Sequence, residues 1–331
     1  MDDIKKVSVV MCTYNGKKYI RQQLDSILTQ SYPIYEIIIQ DDCSTDDTWN
    51  ILMEYQKSHP IIQCYRNEQN VGVNLNFKNA LLLANGEFIA ISDQDDIWYD
   101  YKIKTLINLI GDNLLAFSRS KVLYSNGSYG EFPFEFPSTI EQCILKMIIT
   151  GHSCLFNRSI LDFVEKSIDI DISYDFAMCQ AAYLKGVYIY TNDNLQIWRR
   201  HTDAVTKSLM NSSRNYELTQ VTGKGKFNRL IYSIRNLVLE NKSNGIEKYF
   251  SEIAEFQIRI NGRKHIIKLC FLLANQSIYN YFKAAWICLR YRRKFFPNIA
   301  TNTLRQKLSF ISYSLRYPFT LWNELHSFEA L

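Results

Sequence analysis

Short apolar runs and amphipathic stretches alternate through the first hundred residues. Residues 6–12 (KVSVVMC) form a valine-rich run that predicts a buried strand. After the turn Thr13-Tyr14-Asn15-Gly16, residues Ile20, Leu24, Ile27 and Leu28 recur at helical spacing, and Pro33 stops that helix. Residues 35–40 (YEIIIQ) predict a second strand. Ile51, Leu52 and Tyr55 mark a second helix, for which Ser44, Thr45 or Asp46 can serve as N-cap. Residues 61–65 predict a third strand, and Val73, Phe77, Leu81 and Ala84 a third helix closed by Asn85-Gly86. A fourth apolar run, Phe88-Ile89-Ala90-Ile91, ends in Ser92-Asp93-Gln94-Asp95-Asp96. The alternation predicts an α/β fold with a mostly parallel, doubly wound sheet flanked by helices.

The second half is less regular. Residues 114–118, 153–156 and 187–190 predict strands, and Asn126-Gly127 marks a turn. Residues 139–149 predict a helix, as do residues 176–184, the latter preceded by Tyr174-Asp175. Residues 195–201 end in Trp198-Arg199-Arg200-His201. Thr, Ser, Asn, Lys and Gly then dominate to residue 226, which predicts a flexible segment. Helical patterns rich in Tyr, Phe, Lys and Arg follow.

Composition adds bounds to this picture. A chain of 331 residues can bury a large core and accommodates one catalytic domain plus an addition. Its 47% hydrophobic and 21% charged residues suit an ordinary folded protein. Eight cysteines without a C-x-x-C pair fit free thiols in a reducing cytosol better than a disulfide frame. Residues 1–6 show no signal-peptide apolar region, and the uncharged stretch near residues 269–282 is short for a bilayer span. The net charge of +5 is uneven: residues 224–331 hold 18 Lys/Arg against six Glu and no Asp. An acidic body with a basic tail region implies two surfaces with different partners.

Chemistry concentrates at Asp93, Asp95 and Asp96. Like charges this close repel and need compensation, which a hard divalent cation supplies through carboxylate, water and phosphate oxygens. In open α/β sheets, ligands sit at the carboxyl ends of strands, where this cluster lies. The alternative is a solvated acidic turn that caps the next helix.

Four motifs now stand in order: SVVMCTYNG, DDCSTDDT, an N-x-G followed by Asn (Asn70, Gly72, Asn79), and SDQDDIW. Together they resemble family 2 glycosyltransferases with the GT-A fold, over roughly residues 6–205. SDQDDIW and the later R-R-H are similar to the rhamnosyltransferase-like branch.

That resemblance implies a GT-A domain over residues 1–205, with a nucleotide-sugar half at 1–100 and an acceptor half at 101–205. A flexible segment at 206–226 and a basic helical region at 227–331 complete the chain. It also implies roles. Cys12, Thr13 and Tyr14 would lie along the nucleoside, and Asp42 would accept from a pyrimidine N–H. Asp93 would face the ribose or the metal, Asp95 would ligate the metal, and Asp96 would support it or approach the acceptor. The metal would be Mg²⁺ or Mn²⁺. Asp175 stands where the family places its general base, with Asp169 and Asp171 as fallbacks. The residue before it is Tyr174, where the family usually has an acid or His. Arg199, Arg200 and His201 match an element that closes over the diphosphate, with His201 as a metal ligand or phosphate donor. His152 could line the acceptor pocket, though a lone His is more often structural.

The implied reaction is inverting, metal-dependent transfer of a sugar from dTDP-L-rhamnose or a UDP-hexose. The acceptor would be a hydroxyl of a glycan or lipid-linked sugar in cell-surface polysaccharide synthesis, on the cytoplasmic side of the membrane. For the basic region three readings stand: an anionic membrane surface, a helical cap or dimerisation module, and nucleic acid, for which no recognition motif exists. A sugar nucleotidyltransferase would need a Gly-rich, Arg/Lys-bearing loop after the first strand, and that loop has one Gly. Intact Asp42, Asp93, Asp95 and Asp175 argue against a non-catalytic relative. No G-x-G-x-x-G supports a dehydrogenase.

Overall fold

A computed structural model describes residues 4–132, 135–145, 149–200, 244–275 and 277–297. The described chain falls into two compact units. The first comprises the residues before Pro137 and those of 149–200; the second comprises residues 137–145 and those from 244 onward.

In the first unit the predicted alternation is realised as β1 (Val7–Thr13), α1 (Ile20–Leu28), β2 (Glu36–Asp41), α2 (Thr48–Ser58), β3 (Ile62–Arg66), α3 (Val73–Leu82) and β4 (Phe88–Ser92). Strand β1 is buried along its whole length and pairs in parallel with both β2 and β4. Burial on both faces explains why these strands read as continuous apolar runs. Val9, Met11, Ile37, Ile39 and Ala90 pack against Ile20, Leu24, Ile27 and Leu52 of the helices. Each of these side chains larger than alanine contributes about 1.5–3 kcal/mol on burial.

Strands β5 (Ile97–Trp98), β6 (Leu115–Leu123), β7 (Tyr129–Glu131), β8 (Cys154–Asn157) and β9 (Tyr188–Arg199) extend the sheet in the order β3-β2-β1-β4-β8-β6-β9-β5, with β7 on β6. The sheet is parallel through its first strands and mixed beyond β4. Helices α4 (Lys102–Ile110), α6 (Leu161–Glu165) and α7 (Tyr174–Lys185) belong to the same unit, whereas α5 (Ile140–Leu145) belongs to the second.

Two pairings position the site. Strand β8 runs antiparallel to β4 with Ala90 opposite Leu155, so the turn before β8, Gly151-His152-Ser153, lies beside the carboxyl end of β4. Strand β5 runs antiparallel to β9 with Trp98 opposite Gln196, which brings the end of β9 against Asp96.

The structure departs from the sequence reading in several places, among them the short elements β5, β7 and α6, which the sequence reading does not include. The short strand expected at 187–190 continues to Arg199, because register shifts opposite Phe117–Lys121 absorb the polar Thr-Asn-Asp-Asn stretch. Helix α4 is the helix expected after the acidic turn but given no bounds, although Ile103, Leu106, Ile107 and Ile110 are all buried and spaced for one. Strand β6 extends five residues past Ser118 to Leu123, carried by its pairing with β7 and β9. The segment at 206–226 lies outside the described residues.

The second unit holds α5 and the helices α8 (Asn244–Arg259), α9 (Lys264–Ala274), α10 (Ile278–Arg290) and α11 (Arg292–Phe295). Buried Glu141 accepts from Arg263 at 2.7 Å and pairs with His265 at 2.8 Å, which hold its carboxyl below the usual range against burial, the largest influence and an opposing one. No described helix is long and apolar enough to cross a membrane.

Candidate active site

The loops after β1, β2 and β4 are tied to one another at the sheet's carboxyl edge. Buried Asp41 accepts from Thr13 Oγ1 (2.8 Å), Ser44 Oγ (2.5 Å) and the Ser44 N–H (2.9 Å). Asn15, at φ 51, donates its N–H to Ser44 Oγ and accepts from the Thr45 N–H at 2.8 Å. Gln94 brackets Tyr14, accepting from its N–H and donating to its carbonyl, both at 3.0 Å. The Thr13 hydroxyl therefore faces inward, while the Tyr14 ring stays exposed at the rim.

Asp42 is buried, and both its oxygens are engaged. Oδ1 accepts from the Val71 N–H and Asn67 Nδ2 at 2.8 Å, and Oδ2 accepts from the Gly72 N–H at 2.9 Å. Gly72 sits at φ 85 and ψ 153, a conformation that side-chain-bearing residues avoid, and this explains the Gly of the N-x-G motif. Oδ2, with one donor, keeps a lone pair for another. Burial raises the Cys12 thiol well above its ordinary pKa, and Asp42 and Asp93 add to it, so Cys12 remains a neutral thiol between the two acids.

Beyond β4, Asp93, Asp96 and His152 place one ligand atom each within 4.8 Å of one another. His152 Nδ1 bonds to Asp96 Oδ2 and lies 3.9 Å from Asp93 Oδ2 and 2.7 Å from Gln196 Nε2. Its Nε2 is buried without a partner among the described groups. Asp96 is fully buried, and its Oδ1 accepts from the Arg199 N–H at 3.2 Å. Burial alone would lower the His152 pKa; the Asp96 carboxylate reverses this and raises it. Burial pushes the Asp93 carboxyl up to about 7, His152 opposes, and Asp96, Asp95 and Asp175 add to the rise. With 39% of its side chain exposed, Asp93 keeps partial solvation that moderates the shift. Two carboxylates and an imidazole with an orphaned nitrogen fit a divalent first-row cation.

Under this group lies Lys102, fully buried at the start of α4. Its Nζ donates to the His152 carbonyl at 2.6 Å and to Gln196 Oε1, and rests 3.8 Å from the Trp98 ring centroid. Gln196 donates in turn to Ser120 Oγ at 3.0 Å. Burial pulls the Lys102 pKa down to about 7 against the attraction of Asp96. Lys102→Met strips two buried oxygens of their donor and is expected to cost about 1–3 kcal/mol of stability. Thermal unfolding checks this, and an unchanged transition would dissociate Lys102 from the framework.

Asp175 occupies the first turn of α7. Its Oδ2 accepts from the Gly151 N–H at 3.1 Å, and its Oδ1 from Ser173 Oγ and, at 2.8 Å, the Phe176 N–H. A Cβ on Gly151 would lie 3.0 Å from both Asp175 Cβ and Tyr174 Oη, so glycine permits this close approach. Tyr174 is buried and stacks on Phe77, 4.2 Å between centroids, which accounts for an aromatic residue before Asp175. Asp169 and Asp171 are exposed.

Strand β9 delivers two arginines to different places. Arg199 bonds to Gln22 and lies over the Tyr19 ring at 5.1 Å. Arg200 lies over Trp198 at 4.6 Å; burial lowers its pKa, while Asp95 and Asp96 support its charge. Asp95 is half-buried and is not one of the three converging ligands. His201 lies outside the described residues. The sequence reading does not bring His152, Lys102 and Gln196 together; the β4–β8 and β5–β9 pairings do.

A family model described as Glycosyl transferase family 2 matches residues 8–164. The dTDP-rhamnosyl transferase RfbG of Shigella flexneri is 41% identical over 120 residues, 34% of this chain and 42% of that protein. WfaP of Escherichia coli, a UDP-Glc:alpha-D-GlcNAc-diphosphoundecaprenol beta-1,3-glucosyltransferase, is 29% identical over 275 residues, 80% of this chain and 96% of that protein. The chain spans about half the length of several other curated relatives it matches. Among solved structures, Staphylococcus aureus TarS 1-349 in complex with UDP-GlcNAc shares the fold, with TM-score 0.53 and 18% identity over 87% of this chain and 92% of that one. The fold is of the GT-A type.

Proposed function

From the match of residues 8–164 to the Glycosyl transferase family 2 model, we propose that the chain is a family 2 glycosyltransferase that transfers a sugar with inversion from a nucleotide-diphosphate sugar to a hydroxyl of a glycan or lipid-linked acceptor. The donor is dTDP-L-rhamnose or a UDP-hexose, readings supported by likeness to RfbG and WfaP. Cell-surface polysaccharide synthesis at the cytoplasmic face of the membrane is the setting this chemistry suits. The observation that carries the proposal is the meeting of Asp93, Asp96 and His152 beside Asp175 at the carboxyl edge of the parallel strands.

In this reading the nucleoside lies along Cys12, Thr13 and Tyr14, and the open lone pair of Asp42 Oδ2 accepts from the base. Arg200 faces the diphosphate with a guanidinium suited to bidentate oxygens, and Arg199 fixes β9 against α1. Asp93, Asp96 and His152 would hold a divalent cation, with Asp95 adding its charge beside them. When bound, the cation neutralises the charge that develops on the departing nucleoside diphosphate. The imidazole in this set favours Mn²⁺ over Mg²⁺. Asp175 takes the proton of the attacking hydroxyl from the opposite side.

Protons compete with the cation for Asp93. The raised pKa means that Asp93 is protonated below about 7 and available above it. Mn²⁺ affinity is therefore expected to climb as pH rises through about 7 and then level off, a profile that calorimetry can follow. Affinity independent of pH across that window would remove Asp93 from the ligand set. A panel of nucleotide sugars, scored by thermal shift and nucleoside-diphosphate release, tests the reaction. The reading expects one dTDP- or UDP-sugar to stand out, and silence across the panel would contradict it.

A further inference from the structure

Helix α10 carries exposed aromatic side chains. Tyr279, Phe282 and Trp286 are 65%, 57% and 64% exposed. Spacings of three and four place them on one face, while Tyr281, Ala284, Ala285 and Cys288 bury the other. Exposed Lys283 and Arg290 share the aromatic face, and Lys283 Nζ lies 4.1 Å from the Tyr279 ring centroid. Residues 264–297 contain seven Lys/Arg and no Asp or Glu. Four of the seven, Arg290, Arg292, Arg293 and Lys294, follow directly after Trp286.

A row of large exposed aromatics is costly in water and marks a contact surface. The helix supplies chemistry for two depths at once. Aromatic bodies with polar tips settle at the boundary between headgroups and acyl chains, and interleaved cations meet anionic phosphates just above it. An acidic protein surface would satisfy the cations but leave three successive rings without an apolar phase. We propose that this face of α10 docks the protein on an anionic lipid bilayer. The inference stands apart from the transfer chemistry, because none of its residues belongs to the candidate active site.

The test uses the full chain with vesicles of phosphatidylcholine alone or mixed with phosphatidylglycerol, read by flotation. The protein is expected to float with the mixed vesicles and far less with the neutral ones. Phe282→Ser combined with Trp286→Ser is expected to weaken partitioning roughly 100-fold, about tenfold per ring removed from the boundary. Lys283→Gln combined with Arg290→Gln is expected to weaken it by about fivefold per cation. All four side chains are exposed, so the melting temperature is expected to hold in both variants. Absence of the full chain from the mixed vesicles would overturn the proposal, as would flotation unchanged by loss of both rings. Self-association that disappears in the aromatic variant, without vesicle binding, would overturn it in favour of a second copy of the chain.

Discussion

Asp175→Asn is expected to lower transfer to the acceptor by roughly 10²–10⁴-fold, the usual worth of a positioned general base. Asparagine matches aspartate in size, and its side-chain oxygen can still accept from the Gly151 N–H that now binds Oδ2, while its Nδ2 donates to Ser173 Oγ and only the half-buried bond from the Phe176 N–H is lost. The first turn of α7 therefore survives, and only a small change in thermal stability is expected. Donor binding should persist, since Asp42 and the group around Asp93 lie on other loops. The deficit should fall on kcat, because the proton moves only as the new bond forms. Single-turnover kinetics alongside donor calorimetry separates these quantities. Turnover near that of the unmodified protein would reduce Asp175 to a helix-terminus residue and turn attention to Asp96.

Asp93→Asn is expected to weaken Mn²⁺ binding by roughly 100-fold, at the upper end of what even supporting residues of metal sites are worth. Transfer should nearly cease. Part of the Asp93 carboxylate faces solvent, and it lies 3.9 Å from His152 without anchoring the fold, so a native unfolding transition is expected. The variant should also make the climb in Mn²⁺ affinity near pH 7 shallower, because one of the groups that titrate there is gone while His152 and Lys102 remain. Isothermal titration at several pH values measures both effects. Retained affinity with a retained pH profile would shift the cation to Asp95 or Asp96.

The parallel half of the fold was legible because its physics is local. Valine-rich β1 and YEIIIQ announce strands buried on both faces, and Asn-Gly pairs and Pro33 punctuate the helices between them. The acidic cluster was legible for the same reason, being a local excess of like charge at a strand end. His152, Lys102 and Gln196 carry no such signal. His152 meets Asp96 across 56 residues and Lys102 meets Gln196 across 94, and both meetings depend on antiparallel strands inserted beside parallel ones. Tyr174 looked like a departure from the family pattern; its stacking on Phe77 shows that the position faces the core and leaves Asp175 to face the site. The arginine pair was readable as a motif but not as a division of labour, since the bond from Arg199 to Gln22 spans 177 residues.

The central claim is that donor diphosphate is held through a divalent cation at Asp93, Asp96 and His152. Calorimetric titration of the donor chosen by the panel, into protein treated with EDTA and into the same protein restored with Mn²⁺, addresses it most directly. The account predicts donor binding with Mn²⁺ that is lost in EDTA and is not recovered by Mn²⁺ in Asp93→Asn. Equal donor affinity in EDTA and in Mn²⁺ would contradict it.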